Sequence, residues 1–185
     1  MTSADAHSSL VLRAAVFAAY KHREQRRHDG CTPYINHPLS VADVLSRVGN
    51  VRDADVLAAA LLHDTIEDTE TTADELRTTF GERILSLVLE CTDDKSLPKS
   101  ERKRLQVVNA PHKSPEAKTI KIADKISNMS DLVTAPPVDW STERKREYVQ
   151  WCDEVFQGLK GTNLALDNLF EQTRNHAHKQ VHRTP

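Results

Sequence analysis

The stretch VLAAALLHDTIEDT, residues 56–69, places one histidine and three carboxylates at the end of an apolar run. Residues 56–62 are apolar without interruption, which is typical of a buried helix. Ionised carboxylates are costly to bury unless a cation or hydrogen bonds compensate them. The stretch therefore predicts a buried helix whose end meets a cation, a basic partner or an open cleft.

The four polar residues that follow the apolar run would share one face of a helix. Projected at about 100° per residue, they fall within a sector of about 140°: His63, Glu67, Asp64 and Asp68. The side chains of the adjacent residues His63 and Asp64 lie on either side of one direction, so a ring nitrogen and a carboxylate oxygen could bind one ion together. Glu67 and Asp68 lie a turn further on, where they could act as acid/base groups. A His-Asp pair alone is more often chance on a solvated face, but the apolar run before it favours a buried site.

Two other positions extend this site. His37 stands before Pro38, which favours an extended backbone just ahead of a helix. Asp124 follows apolar Ile122 in TIKIADKISNMSDL, residues 119–132, and is predicted to be partly buried. Taken singly, His37 reads as a helix cap or surface histidine and Asp124 as a salt-bridged structural acid. Together with the His-Asp pair they form an N/O ligand set suited to Mn²⁺, Fe²⁺ or Zn²⁺, and spacing does not choose among these ions.

Apolar periodicity and breaker residues predict an all-α bundle of about 8–10 helices around one metal site. A first helix over Leu10–Arg27 ends in the basic string KHREQRR, and a second begins at Pro38. Caps are predicted for two more helices: Asp53 or Asp55, and Thr71 or Thr72 with Glu75 behind. Further helices are predicted over five ranges: 82–92, 100–109, 115–132, 142–160 and 163–178.

The length and composition fit one helical domain. The chain has 185 residues, of which 5 are glycines and 5% are aromatic. This is long enough to bury a core and suits helices better than a sheet. We assign the domain to residues 8–175 and expect the polar ends, 1–7 and 176–185, to be frayed.

Charge, cysteine and hydropathy patterns exclude several classes of protein. The 25 Lys+Arg and 27 Asp+Glu give a net charge of −2, which argues against a broad surface for duplex nucleic acid. The 3 cysteines are far apart without a CxxC motif, so neither a disulfide framework nor a cysteine-based zinc site is indicated. No signal-peptide pattern and no long apolar stretch occurs. We therefore expect a cytoplasmic protein without nucleic-acid or membrane partners; the sequence leaves the oligomeric state open.

Four segments, taken in order, carry a resemblance to a known family. The order His37, His63-Asp64, Asp124 is similar to the H…HD…D signature of the HD-domain phosphohydrolases, which are helical, metal-dependent enzymes. The surrounding segments closely resemble the hydrolase domain of the Rel/SpoT alarmone enzymes, and more narrowly the small stand-alone alarmone hydrolases of the MESH or SAH type: TPYINHPLSVADVL, ALLHDTIEDTETT, TDDKSLPKSERKRLQ and AKTIKIADKISNMSDL. The resemblance runs from about residue 10 to 170. It leaves no room for a synthetase domain, so it implies hydrolysis alone.

The resemblance implies a reaction and a set of roles. The reaction is removal of the 3′-pyrophosphate from ppGpp or pppGpp, which yields GDP or GTP and pyrophosphate, with Mn²⁺ as the usual ion. Four residues match the metal ligands of the family: His37, His63, Asp64 and Asp124. Glu67 and Asp68 match its catalytic acidic pair, which positions and deprotonates the attacking water. General chemistry agrees, because a divalent ion acidifies its bound water and a nearby base must collect the proton.

The same resemblance implies nucleotide contacts. Arg27 and Asn128 map to residues that contact the nucleotide, with Tyr34 nearby, and Arg144 and Tyr148 are candidate substrate contacts. The chain departs from the family at His28, where a second basic side chain is common and the loop is longer. His28 can stack on a base or meet a phosphate, but its charge is conditional near pH 7.

Other basic residues suggest a phosphate-attracting rim around the acidic site. They are Lys95, Lys99, Arg102, Lys103, Arg104, Lys145 and Arg146. An ordinary solvated helix face explains any single one of them equally well. Trp140 and Trp151 are interpreted as packing residues rather than platforms for base stacking.

Three functions fit the sequence to different degrees. An alarmone hydrolase that uses Mn²⁺ accounts for all the motifs. A phosphohydrolase acting mainly on another nucleotide, such as (p)ppApp or NADPH, is kept open by His28. A ppGpp sensor without catalysis is disfavoured by the intact pair Glu67 and Asp68.

Overall fold

The computed structural model describes residues 3–183, and regular structure within that range is helical, which confirms the all-α prediction. The helices are α1 Ser3–Lys21, α2 Asn36–Arg47, α3 Ala54–Leu62, α4 Thr65–Asp68, α5 Ala73–Phe80, α6 Glu82–Cys91, α7 Lys99–Asn109, α8 Pro115–Thr134, α9 Thr142–Leu159 and α10 Leu164–Arg183, with a 3₁₀ turn at Ala110–His112. None of these helices is long and apolar enough to cross a membrane.

Helix α3 lies at the centre of the bundle. It packs against α1, α2, α6 and α8. Its residues Ala58, Ala59 and Ala60 are fully buried, and Leu62 behind them is too. Small side chains allow neighbouring backbones to approach closely, so three consecutive alanines let α3 accept partners on several sides. The end of this central helix is therefore held rigidly, and the polar site follows directly after it.

Local capping explains where α3 and α5 begin. The Asp53 carboxylate accepts the backbone N–H of Asp55 at 3.0 Å, so Asp53 is the cap of α3. The Thr72 hydroxyl accepts the N–H of Glu75 at 3.1 Å and caps α5. The sequence allowed Asp53 or Asp55 as one cap and Thr71 or Thr72 as the other, and the structure has Asp53 and Thr72. Glu75 does not return a hydrogen bond to Thr72 but binds Lys21 at 3.0 Å.

The first helix ends at Lys21, not at Arg27 as predicted. The chain then forms a loop in which the Asp29 carboxylate accepts the N–H groups of Cys31 and Thr32 at 3.0 and 2.9 Å. Gly30 has a φ of 77°, a conformation that glycine adopts without strain. Side chain and glycine together fix a tight turn, which overrides the helical propensity of the basic string.

The environment of His37 also differs from the prediction. His37 lies inside the first turn of α2, which begins at Asn36, and is not in an extended segment ahead of it. Pro38 is thus the third helical residue. The N–H groups of a first turn have no acceptor within the helix, so a proline there removes no helical hydrogen bond. His37 is 3% exposed, so the helix start is itself part of the core.

The helix that was projected through residues 63–68 is interrupted. α3 ends at Leu62, Asp64 has a ψ of −3°, and α4 restarts at Thr65. The Thr65 hydroxyl donates to the carbonyl of Leu62 at 2.7 Å and occupies an acceptor that a continuous helix would use. The break changes the direction of the Asp64 side chain. That direction therefore depends on the local backbone and cannot be read from a projection along one continuous helix.

The ends of the described range are helical where fraying was predicted. Residues 3–7 belong to α1 and residues 176–183 to α10. The buried side chains of Ala177 and Val181 continue the apolar stripe of α10 and explain its length. Residues 1–2 and 184–185, the remainder of the predicted frayed ends, lie outside the described residues.

Candidate metal centre and substrate cleft

Three helices bring nitrogen and oxygen ligands to one point. His37 on α2, His63 after α3 and Asp124 on α8 each offer a ligand atom, and these atoms lie within 4.8 Å of one another. The Asp124 Oδ1 atom is 3.2 Å from His37 Nε2 and 3.9 Å from His63 Nε2. All three residues are buried. This geometry forms a cluster that could hold a divalent metal ion.

The hydrogen bonds of His63 leave one nitrogen for a metal. Its Nδ1–H donates to the carbonyl of Ala60 at 2.8 Å, because a carbonyl can only accept. The Nε2 atom therefore carries a lone pair in a neutral ring, and it is buried without a hydrogen-bond partner in residues 3–183. A buried acceptor without a donor is unfavourable, and a metal ion would satisfy it. The residues present thus fit a metal.

The second histidine is oriented in the same way. His37 Nδ1 lies 3.1 Å from the Ser127 hydroxyl, so its Nε2 faces the carboxylates. Burial lowers the pKa of His37, which favours the neutral ring that metal binding requires. Ser127 is a supporting residue that sequence reasoning did not single out.

Asp124 divides its two oxygens between the ligand cluster and two buried lysines. Its Oδ2 atom lies 3.4 Å from Lys121 Nζ and 3.2 Å from Lys125 Nζ, and both lysines are at most 5% exposed. Burial opposes ionisation of Asp124, but Lys125 and Lys121 outweigh it and hold the pKa of Asp124 well below its usual range. Lys125 also donates to Gln106 at 3.1 Å. The carboxylate is therefore charged before any metal binds.

Asp64 lies beside both histidines. Its Oδ1 atom is 3.2 Å from His63 Nε2, and its Oδ2 atom is 3.6 Å from His37 Nε2. The Tyr34 hydroxyl donates to Asp64 Oδ2 at 2.7 Å and also lies 3.0 Å from Asp68 Oδ2. Asp64 is thus positioned as a fourth ligand candidate.

Glu67, one of the two predicted acid/base groups, lies on α4 next to this cluster. Its Oε2 accepts the backbone N–H of Asp93 at 3.0 Å, and Arg102 Nη1 is 3.6 Å from its Oε1. Burial is the main cause that raises the pKa of Glu67 to about 7; the Asp93 hydrogen bond opposes the rise, and the charge of Asp64 adds to it. A general base works best when its pKa lies near the operating pH.

The raised pKa of Glu67 predicts how stability changes with pH in the metal-free protein. In the folded state Glu67 keeps its proton up to about pH 7, whereas in the unfolded chain it keeps the proton only up to about pH 4.5. The free energy of unfolding therefore falls as the pH rises between these two values. Glu67→Gln removes this loss. We expect the variant to gain up to about 3 kcal/mol over the parent between pH 4.5 and 8.

Urea unfolding after metal removal by EDTA measures this difference at both pH values. Glu24→Gln is the control, since the Glu24 side chain is 89% exposed. A stability difference between Glu67→Gln and the parent that is the same at pH 4.5 and pH 8 would contradict the pKa assignment.

Asp68 has different surroundings. It forms an ion pair with Lys95, its carboxylate lies near Tyr34, and its backbone carbonyl accepts from Gln25 Nε2 at 2.5 Å. All three partners come from segments other than its own helix. Asp68 is accordingly anchored, whereas Glu67 faces the cleft with a weaker ionic contact.

The cluster opens into a cavity of about 1130 Å³. Most of the residues predicted for the site line it: Arg27, His28, Tyr34, His37, Asp64, Glu67, Asp68, Asp124, Asn128, Arg144 and Tyr148. Of the predicted basic rim, Lys95, Lys99, Arg102 and Lys103 line it, whereas Arg104, Lys145 and Arg146 do not. Arg104 pairs with Glu101 on the exposed face of α7, which is the ordinary role of a surface arginine.

Arg27 and Asn128 are linked to each other. Arg27 pairs with Asp131 at 2.8 Å and donates to Asn128 Oδ1 at 2.6 Å, while Asn128 Nδ2 donates to Asp124 Oδ1 at 2.6 Å. The chain of contacts runs from the predicted nucleotide loop to the ligand cluster. A substrate that engages Arg27 must share or replace its contact with Asp131.

The surroundings of His28 disfavour its charged form. Its pKa is lowered first by desolvation and then by the charges of Arg27 and Lys99. Its ring lies 5.6 Å from that of Trp140, over which the Arg144 guanidinium sits at 4.4 Å. His28 thus belongs to an aromatic and cationic group of side chains.

Several residues of the cleft escaped sequence reasoning. Lys125 and Gln106 form part of its floor, and the two tryptophans interpreted as packing residues line its wall. Trp151 packs under Lys125, whose Nζ is 4.3 Å from the ring centroid, and donates its indole N–H to the carbonyl of Lys103 at 3.1 Å. The position of Lys125 within the apolar segment around Asp124 is the sequence feature that could have indicated its burial.

The family of the chain follows from a family-model match. The model described as HD domain matches residues 14–164. The chain belongs to the HD domain family. The matched range contains every residue of the ligand cluster and both acidic residues of α4, so the HD domain of this chain includes the entire candidate site.

Relatives of this chain include two pyrophosphohydrolases and a solved structure. The chain is 55% identical over 161 residues to the guanosine-3′,5′-bis(diphosphate) 3′-pyrophosphohydrolase MESH1 of Xenopus tropicalis, covering 86% of this chain and 90% of the relative. The MESH1 of Homo sapiens is 54% identical over 167 residues, covering 88% and 93%. A solved structure described as a metazoan ortholog of SpoT that hydrolyzes ppGpp superposes with a TM-score of 0.88 at 43% identity, covering 90% and 94%.

Proposed function

We propose that this chain is a metal-dependent 3′-pyrophosphohydrolase of guanosine tetra- and pentaphosphate, (p)ppGpp, which it converts to GDP or GTP and pyrophosphate. The observation that carries the proposal is the buried cluster of His37, His63 and Asp124, next to Glu67 in a large cleft. Relatives that are 54–55% identical over most of their length are named guanosine-3′,5′-bis(diphosphate) 3′-pyrophosphohydrolases. The cleft volume suits a nucleotide.

The ion is proposed to be Mn²⁺, held by His37, His63, Asp64 and Asp124. Two imidazoles and two carboxylates form a mixed donor set, which suits Mn²⁺ and also admits Zn²⁺ or Fe²⁺. When bound, such an ion acidifies water and polarises phosphoryl oxygens. The chain contributes the fixed directions of the two Nε2 atoms and a charged Asp124.

Glu67 is proposed to take the proton from the attacking water, because its pKa of about 7 suits this step and its carboxylate lines the cleft. Asp68 is proposed to assist by orienting the water. Lys121 and Lys125 also line the cleft, and positive charge there would favour the negative charge of a departing pyrophosphate.

Five residues are proposed to contact the nucleotide: Arg27, His28, Asn128, Arg144 and Tyr148. Tyr34, which the sequence placed near them, lines the same cleft. Lys99 and Lys103 also line it and add positive charge, as a substrate with four or five phosphates requires. A cytoplasmic location and the absence of nucleic-acid partners stay predictions from composition. The oligomeric state stays open.

The test is a substrate panel with purified protein and Mn²⁺. ppGpp, pppGpp, ppApp, NADPH and GTP are incubated separately, and the products are resolved by chromatography. We expect GDP and pyrophosphate from ppGpp and no change in GTP, which lacks a 3′-pyrophosphate. If none of the substrates is turned over by metal-loaded protein, the chain is a binding module and the proposal is wrong.

A second candidate is hydrolysis of another nucleotide, such as (p)ppApp or NADPH. The lowered pKa of His28 favours it, because a side chain that resists protonation relaxes the electrostatic selection that a second basic residue would give. A kcat/KM for ppApp or NADPH above that for ppGpp would establish this alternative.

Arg27→Ala is expected to raise the KM for ppGpp by about tenfold with little change in kcat, because the planar guanidinium binds phosphates or stacks on a base. Steady-state kinetics at saturating Mn²⁺ measure both constants. Arg47→Ala, which removes an exposed arginine paired with Asp43, is the control. Equal KM values for Arg27→Ala and the parent would remove Arg27 from the substrate site.

A further inference from the structure

The hydroxyl of Tyr34 lies between two carboxylates that have different proposed roles. It is 2.7 Å from Oδ2 of Asp64, a ligand candidate, and 3.0 Å from Oδ2 of Asp68, a member of the acidic pair. An ionised carboxylate only accepts hydrogen bonds, so the phenol is the donor. A phenol has one hydrogen, which the two oxygens share with the shorter contact on Asp64.

The ring of Tyr34 is held by a stacking contact with a buried histidine. It stacks on His22 with centroids 4.7 Å apart and planes inclined by 24°, and His22 is 1% exposed. His22 Nδ1 donates to Gln25 Oε1 at 2.7 Å, and Gln25 in turn donates to the backbone carbonyl of Asp68 at 2.5 Å. The end of α1 and the following loop thus fix the phenol, and through it the segment from Asp64 to Asp68.

The contact with Tyr34 assigns different roles to the two oxygens of Asp64. Its Oδ1 atom faces His63 Nε2 at 3.2 Å, whereas its Oδ2 atom carries the phenol hydrogen bond. Partners that hold a metal-binding carboxylate are typically worth about 10–100-fold in metal affinity or activity. Losing the hydroxyl would leave Asp64 free to rotate away from the histidines.

We propose that Tyr34 is a positioning residue, which orients Asp64 toward the metal and Asp68 toward the attacking water, and that it does not act by binding substrate. The kinetic part of this proposal rests on the proposed hydrolase function. The metal-binding part does not, because it concerns the protein and Mn²⁺ alone.

The test compares Tyr34→Phe with the parent, since phenylalanine keeps the stack on His22 and removes only the hydroxyl. Mn²⁺ affinity is measured by electron paramagnetic resonance of the free ion, and kcat and KM for ppGpp at saturating Mn²⁺. We expect Mn²⁺ to bind about 10–100-fold more weakly. We also expect kcat to fall at least about tenfold while KM changes less than about twofold. Tyr20→Phe is the control, because Tyr20 is 62% exposed on α1.

Three results would overturn the proposal. One is a tenfold rise in KM with unchanged Mn²⁺ affinity, which would make Tyr34 a substrate contact. Another is a Tyr34→Phe protein that no longer folds without metal, judged by circular dichroism, which would make the hydroxyl a structural group. The third result concerns the double variant. If Tyr34 acts through Asp64, adding Tyr34→Phe to Asp64→Asn should weaken Mn²⁺ binding by less than about twofold. A further tenfold loss of affinity would show that Tyr34 does not act through Asp64. The Mn²⁺ measurements decide these points even if ppGpp is not the substrate.

Discussion

Glu67→Gln is expected to keep its bound Mn²⁺ while kcat for ppGpp falls about 100-fold or more, the loss typical of removing a general base. Glutamine can still accept the N–H of Asp93, so the packing of α4 against the loop after α6 is retained. The capacity to take a proton is lost, together with the ionic contact between Glu67 and Arg102. Metal content by elemental analysis, together with kcat, measures the two effects separately.

Asp64→Asn is the matched comparison for that variant. Asp64 is a proposed ligand, so its amide variant should bind Mn²⁺ more weakly and lose activity in parallel, with lower thermal stability in the presence of the ion because bound metal stabilises the folded state. A Glu67→Gln protein whose Mn²⁺ binding is weakened as much would identify Glu67 as a ligand. One that keeps full activity would move water activation to Asp68.

Asp124→Asn should have the largest effect on stability. The change removes the negative charge that compensates Lys121 and Lys125, both of which are buried. Leaving a buried charge without its partner typically costs about 3–5 kcal/mol. We expect the metal-free variant to lose about 3 kcal/mol of unfolding free energy, and Mn²⁺ binding to be abolished. Urea unfolding in EDTA measures the first effect and elemental analysis the second.

Asp43→Asn provides the control for this charge effect. Asp43 also pairs with a basic residue, Arg47, at 2.8 Å, but both side chains are at least half exposed. Exposed pairs contribute little, so this variant should change stability by less than about 1 kcal/mol. Equal losses in Asp43→Asn and Asp124→Asn would show that the buried lysines do not depend on Asp124.

The helices of this protein could be predicted because their amphipathic periodicity is strong and their caps are local. Asp53 and Thr72 act on residues two or three positions away, which a sequence displays directly. The end of α1 could not be predicted in this way. It depends on Asp29, whose carboxylate organises a turn that competes with helix formation.

The candidate site, too, could be predicted only in part. The apolar run before His63 announces a polar group at a buried helix end, and the grouping of His37, His63 and Asp124 agrees with the predicted ligand order. The roles of individual residues stay predictions. Lys125 escaped notice because a lysine normally lies at a solvated surface, and its burial results from packing by Trp151, which is distant in sequence.

The two lysines beside Asp124 have a consequence for how the protein matures. The charge of Asp124 is compensated by Lys121 and Lys125 before any ion arrives, and the charge of Asp64 also acts on Lys121. Folding therefore does not have to wait for metal, unlike in small zinc domains that are unfolded without their ion. We expect newly made chains to fold first and to take up their ion afterwards, so the supply of metal in the cell would control activity without controlling the amount of folded protein.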